Sequence, residues 1–150
     1  MEYGYDNLDR ALELLGRSVI KLPDTSVTEW VQANLPLAQG GSIIDWSRIP
    51  AARAISVAAH DDIGALVEAF DASLSQLGVS VSGEDRVAVS WRDKGTPTLS
   101  MPLSSCRKAL AYLLHVSPDT LFAALESGWC IEVDFWDTFH ATIIPRGDIY

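Results

Sequence analysis

Cysteine is scarce in this chain: Cys106 and Cys130 are the only two among 150 residues. Neither has metal-finger spacing around it, which argues against a disulfide framework or a structural zinc and leaves both thiols expected in the reduced form. Basic residues are also few, 11 against 20 acidic ones, for a formal charge of −9 and an isoelectric point near 4.6. A protein that binds nucleic acid through phosphates needs clustered Lys and Arg to release counterions, and no basic stripe is present, so direct nucleic-acid binding is not expected. No apolar run reaches bilayer length, and Met1 to Asp6 show no basic segment leading into an apolar one. The expectation is a cytoplasmic protein without a membrane partner. Phosphate loops, dinucleotide fingerprints and zincin motifs are missing as well, so no cofactor and no metal are expected.

What is there is a globular composition, 48% hydrophobic and 21% charged. A single domain of this length buries roughly two thirds of the surface its unfolded chain exposes and can fold without staples. Leu8, Ala11, Leu12 and Leu15 fall at helical spacing, with Asp6 or Asn7 as N-cap and Gly16 as terminator. Ser26-Val27-Thr28-Glu29 has the capping-box pattern and predicts a helix that stops near Asn34, ahead of Pro36. Gln39-Gly40-Gly41-Ser42 reads as a flexible break. Ile55 and Val57 alternate with small residues in a short strand. Ile63, Leu66, Val67, Phe70, Leu74 and Leu77 then share one stripe of a helix running from about Asp62 to Leu77, capped by Asp61 or Asp62 and ended by Gly78.

Val87, Val89 and Trp91, followed by Asp93-Lys94-Gly95 and Thr98 to Met101, predict a β-hairpin. Leu103, Cys106, Ala109, Leu110, Leu113 and Leu114 mark an amphipathic helix. A further helix is predicted from Ser117-Pro118, carrying Leu121, Phe122 and Leu125 before Gly128. The last segment alternates: Trp129, Ile131, Val133 and Phe135 share one face, and Cys130, Glu132, Asp134 and Trp136 share the other. With Asp137-Thr138-Phe139 as a three-residue loop, Trp136 pairs with His140, Asp134 with Thr142 and Glu132 with Ile144. Strands and helices mix without a βαβ rhythm. The fold class is therefore α+β, an antiparallel or mixed β-sheet packed by helices on one side, in one domain over 1–150.

Candidate chemistry is sparse. The histidines are His60, His115 and His140, and His115 falls at a helix C-terminus, where the dipole favours it. Cys130 and His140 are the one thiol–imidazole pair that alternation brings to a common face. They carry the enzymatic alternative, a small hydrolase or transferase. Asp134, Asp137 and His140 form an Asp-x-x-Asp-x-x-His string, but side chains three apart on a strand point to opposite faces. His60-Asp61-Asp62 is accounted for by helix capping.

The stronger pattern is a recognition face. Glu132, Asp134, Trp136 and His140 project from the non-core side of the last hairpin, and an aromatic among carboxylates carries binding energy once it is desolvated. Trp136 either meets solvent there or lies under a covering helix; periodicity leaves both open. Asp61 and Asp62 are outlying members of the same acidic set.

A small, acidic, Trp-containing protein of mixed fold without catalytic grammar resembles the immunity proteins that neutralise bacterial toxins. Tyr3-Gly4-Tyr5-Asp6-Asn7-Leu8-Asp9-Arg10-Ala11-Leu12 is also similar to the Tyr-Gly-x-Asn-Leu-Asp-Ala-Leu helix of the barstar family of ribonuclease inhibitors. It departs from that helix by one inserted residue and by Arg10, lies at the opposite end of a longer chain, and the remainder does not follow the barstar plan. The immunity resemblance implies a tight one-to-one complex in which carboxylates and aromatics cover the basic active site of a toxin such as a nuclease. A third expectation is an accessory protein of phage or host that imitates nucleic-acid charge.

Overall fold

The computed structural model describes residues 2–38, 44–58, 61–81, 85–91, 93 and 95–144. The Gln39–Ser42 break, His60, Lys94 and the last six residues lie outside this set. Helix α1 (Tyr5–Leu15) leads into the short strand β1 (Ile20–Leu22), and α2 (Ser26–Asn34) follows. Strand β2 (Arg53–Ser56) precedes α3 (Ile63–Gln76); β3 (Arg86–Ser90) and β4 (Thr98–Pro102) form the expected hairpin. The chain continues through α4 (Leu103–Lys108), α5 (Leu110–Leu113), β5 (Thr120–Ala124), β6 (Trp129–Val133) and β7 (Thr138–Ile143).

Among the described residues, seven strands join one antiparallel sheet in the order β1-β4-β3-β5-β6-β7-β2. The α+β class and the antiparallel sheet follow the sequence. The main core lies between one sheet face, with Val87, Val89, Leu99, Met101, Phe122, Trp129, Ile131 and Phe139, and the apolar stripes of α1, α3, α4 and α5. A smaller core covers the opposite face, where Val27 and Val31 of α2 and Ile44 pack on Ala88, Leu121, Ala123 and Cys130. Helical cover is thus heaviest on one side, with α2 closing part of the other.

Local chemistry explains several elements. Asp62 sits in an extended conformation and its carboxylate accepts the Ala65 N–H at 3.0 Å, capping α3, while Gly78 at φ 72° takes the left-handed position just past the helix end. The capping box expected at Ser26 does not form: Ser26 is already helical, Thr25 occupies the N-cap, and no side chain caps it. The helix expected over 103–114 is two short pieces, because Ala109 at φ −98° and ψ 8° leaves helical geometry between α4 and α5.

The largest correction concerns residues 117–128. No helix starts at Ser117-Pro118; Thr120–Ala124 is the central strand β5, paired with β3 and β6 and buried throughout. A strand covered on both faces reads as a continuous apolar run rather than an alternation, and Leu121, Phe122 and Leu125 fall by coincidence at helical spacing.

The last hairpin keeps its faces but shifts its register. Glu132 lies opposite His140 rather than Ile144, and Cys130 opposite Thr142. The loop does contain three residues, but they are Phe135, Trp136 and Asp137, closed by Asp134 N–H to the Thr138 carbonyl at 3.2 Å. Asp137 takes the left-handed conformation at φ 57°, which Asp tolerates better than most residues. Asp134 Oδ1 accepts the N–H groups of Trp136 and Thr138 at 2.9 and 3.0 Å, a pattern that only this register provides. Phe135 therefore leaves the expected core face and sits exposed at the tip.

Candidate functional site

Antiparallel neighbours bring the end of β3, the start of β5, the end of β6 and the start of β7 to one edge of the sheet. An open cleft of about 570 Å³ lies there. The hairpin tip supplies Glu132, Asp134, Phe135, Trp136 and His140; the segments after β3 and before β5 supply Trp91, Asp93, Ser117 and Asp119; Ile44 and Trp46 close it from the second face.

Of the sequence-predicted residues, Glu132, Asp134, Trp136 and His140 do converge. Trp136 is 77% exposed, which decides the question left open by periodicity. It stands edge-to-face with Phe135, ring centroids 5.2 Å apart at 89°. Glu132 does not project into solvent as expected: it is buried, and Trp46 Nε1 donates to its Oε1 at 2.8 Å. Trp46 also stacks on His140 at 5.2 Å and 18°. His140 Nε2 donates to Asp134 Oδ2 at 2.9 Å, so Asp134 holds the tip together with both of its oxygens. Asp61 and Asp62 lie apart; Asp62 caps α3 and neither lines the cleft.

Trp46, Trp91, Asp93 and Asp119 escape sequence reading. Asp119 is hidden by the helical spacing of the residues after it; read as a strand entered through Ser-Pro-Asp, the same segment places Asp119 beside the sheet end. Trp91 is buried and donates its Nε1–H to the Leu113 carbonyl at 2.8 Å. Two of the indoles in the cleft thus have their donors committed and present only ring surface.

The lining is one-signed. Asp93, Asp119, Glu132 and Asp134 face it, and none of the described lining residues is Lys or Arg. Tyr3 lies near this end of the sheet and stacks on His115 at 5.6 Å. Its phenol is pushed up from 10.0 to about 12, first by burial and then by the negative charges of Asp137 and Asp119. Above pH 10 an unfolded chain releases this proton while the folded chain keeps it. The Tyr3 contribution to stability is therefore intact below pH 10 and is lost as the pH rises to about 12. In an absorbance titration of the native protein, one tyrosine should ionise late, and Tyr3→Phe should remove that late step. A variant that loses its amplitude near pH 10 and keeps the late step would show that the late phenol is not Tyr3.

Both cysteines are fully buried. Burial pushes the Cys106 thiol far up, and Cys130 packs in the second core. The Cys130 thiol of the Cys130–His140 pair therefore lacks the solvent access a thiolate nucleophile uses, although His140 lines the cleft. His115 is buried after α5, and its Nδ1 donates to the Ala111 carbonyl at 2.6 Å, a local anchoring role. Asn7, from the barstar-like segment, donates to the carbonyls of Glu2 and His115 at 2.7 and 2.9 Å and ties α1 to that corner. Among the described residues, no group of three His, Cys, Asp or Glu side chains is placed to hold a metal ion, and no helix is long and apolar enough to cross a membrane.

No protein-family model matches the chain, and no curated protein is significantly similar to it.

Proposed function

We propose that this protein is a binding inhibitor of the immunity-protein kind, acting in the cytoplasm by occluding a basic site on a toxin-like protein partner, without turnover. The observation that carries this reading is the joining of a 77% exposed Trp136 to a cleft whose described charged residues are carboxylates, with His140 paired to Asp134. A large indole held at a turn tip gains little for folding and much on desolvation against a partner. Carboxylates concentrated in a concave site steer a cationic surface toward it and raise the association rate. Active sites that handle nucleic acid are cationic for the reason given by counterion release, which makes a nuclease a natural partner class.

The test is affinity capture from the source cells with three baits: wild type, Trp136→Ala combined with Asp119→Lys, and Asp61→Asn combined with Asp62→Asn. Wild type and the Asp61/Asp62 control should retain one basic protein that is released as salt is raised, and the cleft variant should lose it. Purified, that partner should associate with the cleft variant at least about tenfold more slowly than with wild type. Identical retention by all three baits, or a partner without net positive charge, overturns the reading.

A further inference from the structure

Resting on that reading and sharpening it, we infer that the cleft is built for the guanidinium of an arginine side chain presented by the partner, stacked on Trp136 and hydrogen-bonded to Asp119. The cleft offers acceptors and ring faces, and three of its ring N–H donors are already spent. Trp46 Nε1 is given to Glu132, Trp91 Nε1 to the Leu113 carbonyl, and His140 Nε2 to Asp134. A ligand that brings donors to the carboxylates suits this lining, and both guanidinium and ammonium do so without any acceptor of their own.

The two cations differ in what they require next. An ammonium is a compact, strongly hydrated charge that needs oxygens all round to replace its water. A guanidinium is planar and weakly hydrated on its faces, so it stacks on aromatic rings while its edge donates to a carboxylate.

The oxygens available are few. Asp134 spends Oδ1 on two backbone N–H groups and Oδ2 on His140. Glu132 is buried behind Trp46. Asp93 accepts a long contact from Tyr5 at 3.5 Å and is flanked in sequence by Arg92 and Lys94. Asp119 is exposed at the entrance to β5 and is the carboxylate best placed to pair with an incoming cation. Ring surface is plentiful by comparison: Trp136 and Phe135 are exposed and stand at 89° to each other, and Trp46 also lines the cleft. Few oxygens among many rings select guanidinium over ammonium.

The probes are two capped tripeptides, acetyl-Gly-Arg-Gly-amide and acetyl-Gly-Lys-Gly-amide, titrated into the folded full-length protein while the indole N–H resonances of its five tryptophans are followed by NMR. The arginine peptide should shift the Trp136 and Trp46 resonances and half-saturate at about a three- to tenfold lower concentration than the lysine peptide. Trp136→Ala and Asp119→Asn should each weaken arginine binding by a similar factor, with Asp61→Asn as a silent control.

Equal binding of both peptides, still dependent on Asp119, overturns the guanidinium selectivity and leaves the basic-partner reading intact. Arginine binding that ignores both substitutions, or no shift of any indole resonance with either peptide, overturns the inference. The basic-partner reading falls separately, through the capture experiment.

Discussion

Ala123→Asp should destabilise the protein by at least about 4 kcal/mol, a large share of the stability of an ordinary domain. Ala123 is fully buried on β5, opposite Ala88 of β3 on one side and Cys130 of β6 on the other. This row of small side chains lets Val27 and Val31 of α2 settle against the sheet, and a carboxylate there would be buried without a partner. Ala123→Ser, which adds one hydroxyl, should cost about 1–2 kcal/mol and keep the protein folded for measurement. Urea denaturation of both variants gives the answer, with the serine variant reporting by a lowered midpoint at unchanged slope. The substitution also separates two readings of residues 117–128. On the helix suggested by Leu121, Phe122 and Leu125, position 123 faces outward, and Asp would change stability by less than about 0.5 kcal/mol. A result that small would sink the double-sided strand.

The second large effect is expected at Asp85. Its Oδ1 accepts Ser127 Oγ at 2.7 Å and its Oδ2 accepts Trp129 Nε1 at 2.9 Å, while its carbonyl receives the Leu103 N–H at 2.8 Å. One residue thereby joins the entry of β3, the start of α4 and the turn between β5 and β6. Trp129 is among the largest fully buried side chains, so removing its acceptor leaves an indole N–H inside the protein without a partner. Asp85→Ala should cost about 2–3 kcal/mol, because hydrogen bonds to a charged acceptor are the stronger kind and the orphaned donor adds its desolvation penalty. Asp85→Asn keeps one acceptor oxygen and should lose about half as much. In a double-mutant cycle, Trp129→Phe should be milder in the Asp85→Ala background than in wild type, by about 1–2 kcal/mol. Additive losses would mean that the indole is not coupled to Asp85 and that the Asp85 side chain acts through Ser127.

Legibility varied with how local the governing physics was. The 3.6-residue stripe of α3, its Asp62 cap and Gly78 terminator are decided within a few residues of chain, and they stand as read. So does the β3–β4 hairpin; β6 divides its side chains between two faces as read, but both faces are buried, with Cys130 in the second core. The capping box at Ser26 and the 117–128 helix failed for a common reason: each pattern is compatible with a local structure that tertiary packing overrode. At the candidate site, the shared face of Glu132, Asp134, Trp136 and His140 was visible because strand alternation survives a register shift by an even number of residues. Trp46, Trp91 and Asp119 were invisible, since they arrive from segments far apart in sequence and carry no common spacing.

By itself, then, the sequence determined the acidic character, the α+β class, most of the elements and the face on which the last hairpin sets its carboxylates and indole. Tertiary structure alone decided that β5 is covered on both sides, that β2 closes the sheet against β7, that Glu132 is sealed behind Trp46 and that Trp136 stands in solvent. The physical reason is that periodicity records how a segment's side chains divide between its own faces. What lies over each face is set by segments tens of residues away, through long-range burial that leaves no periodic trace in the local chain.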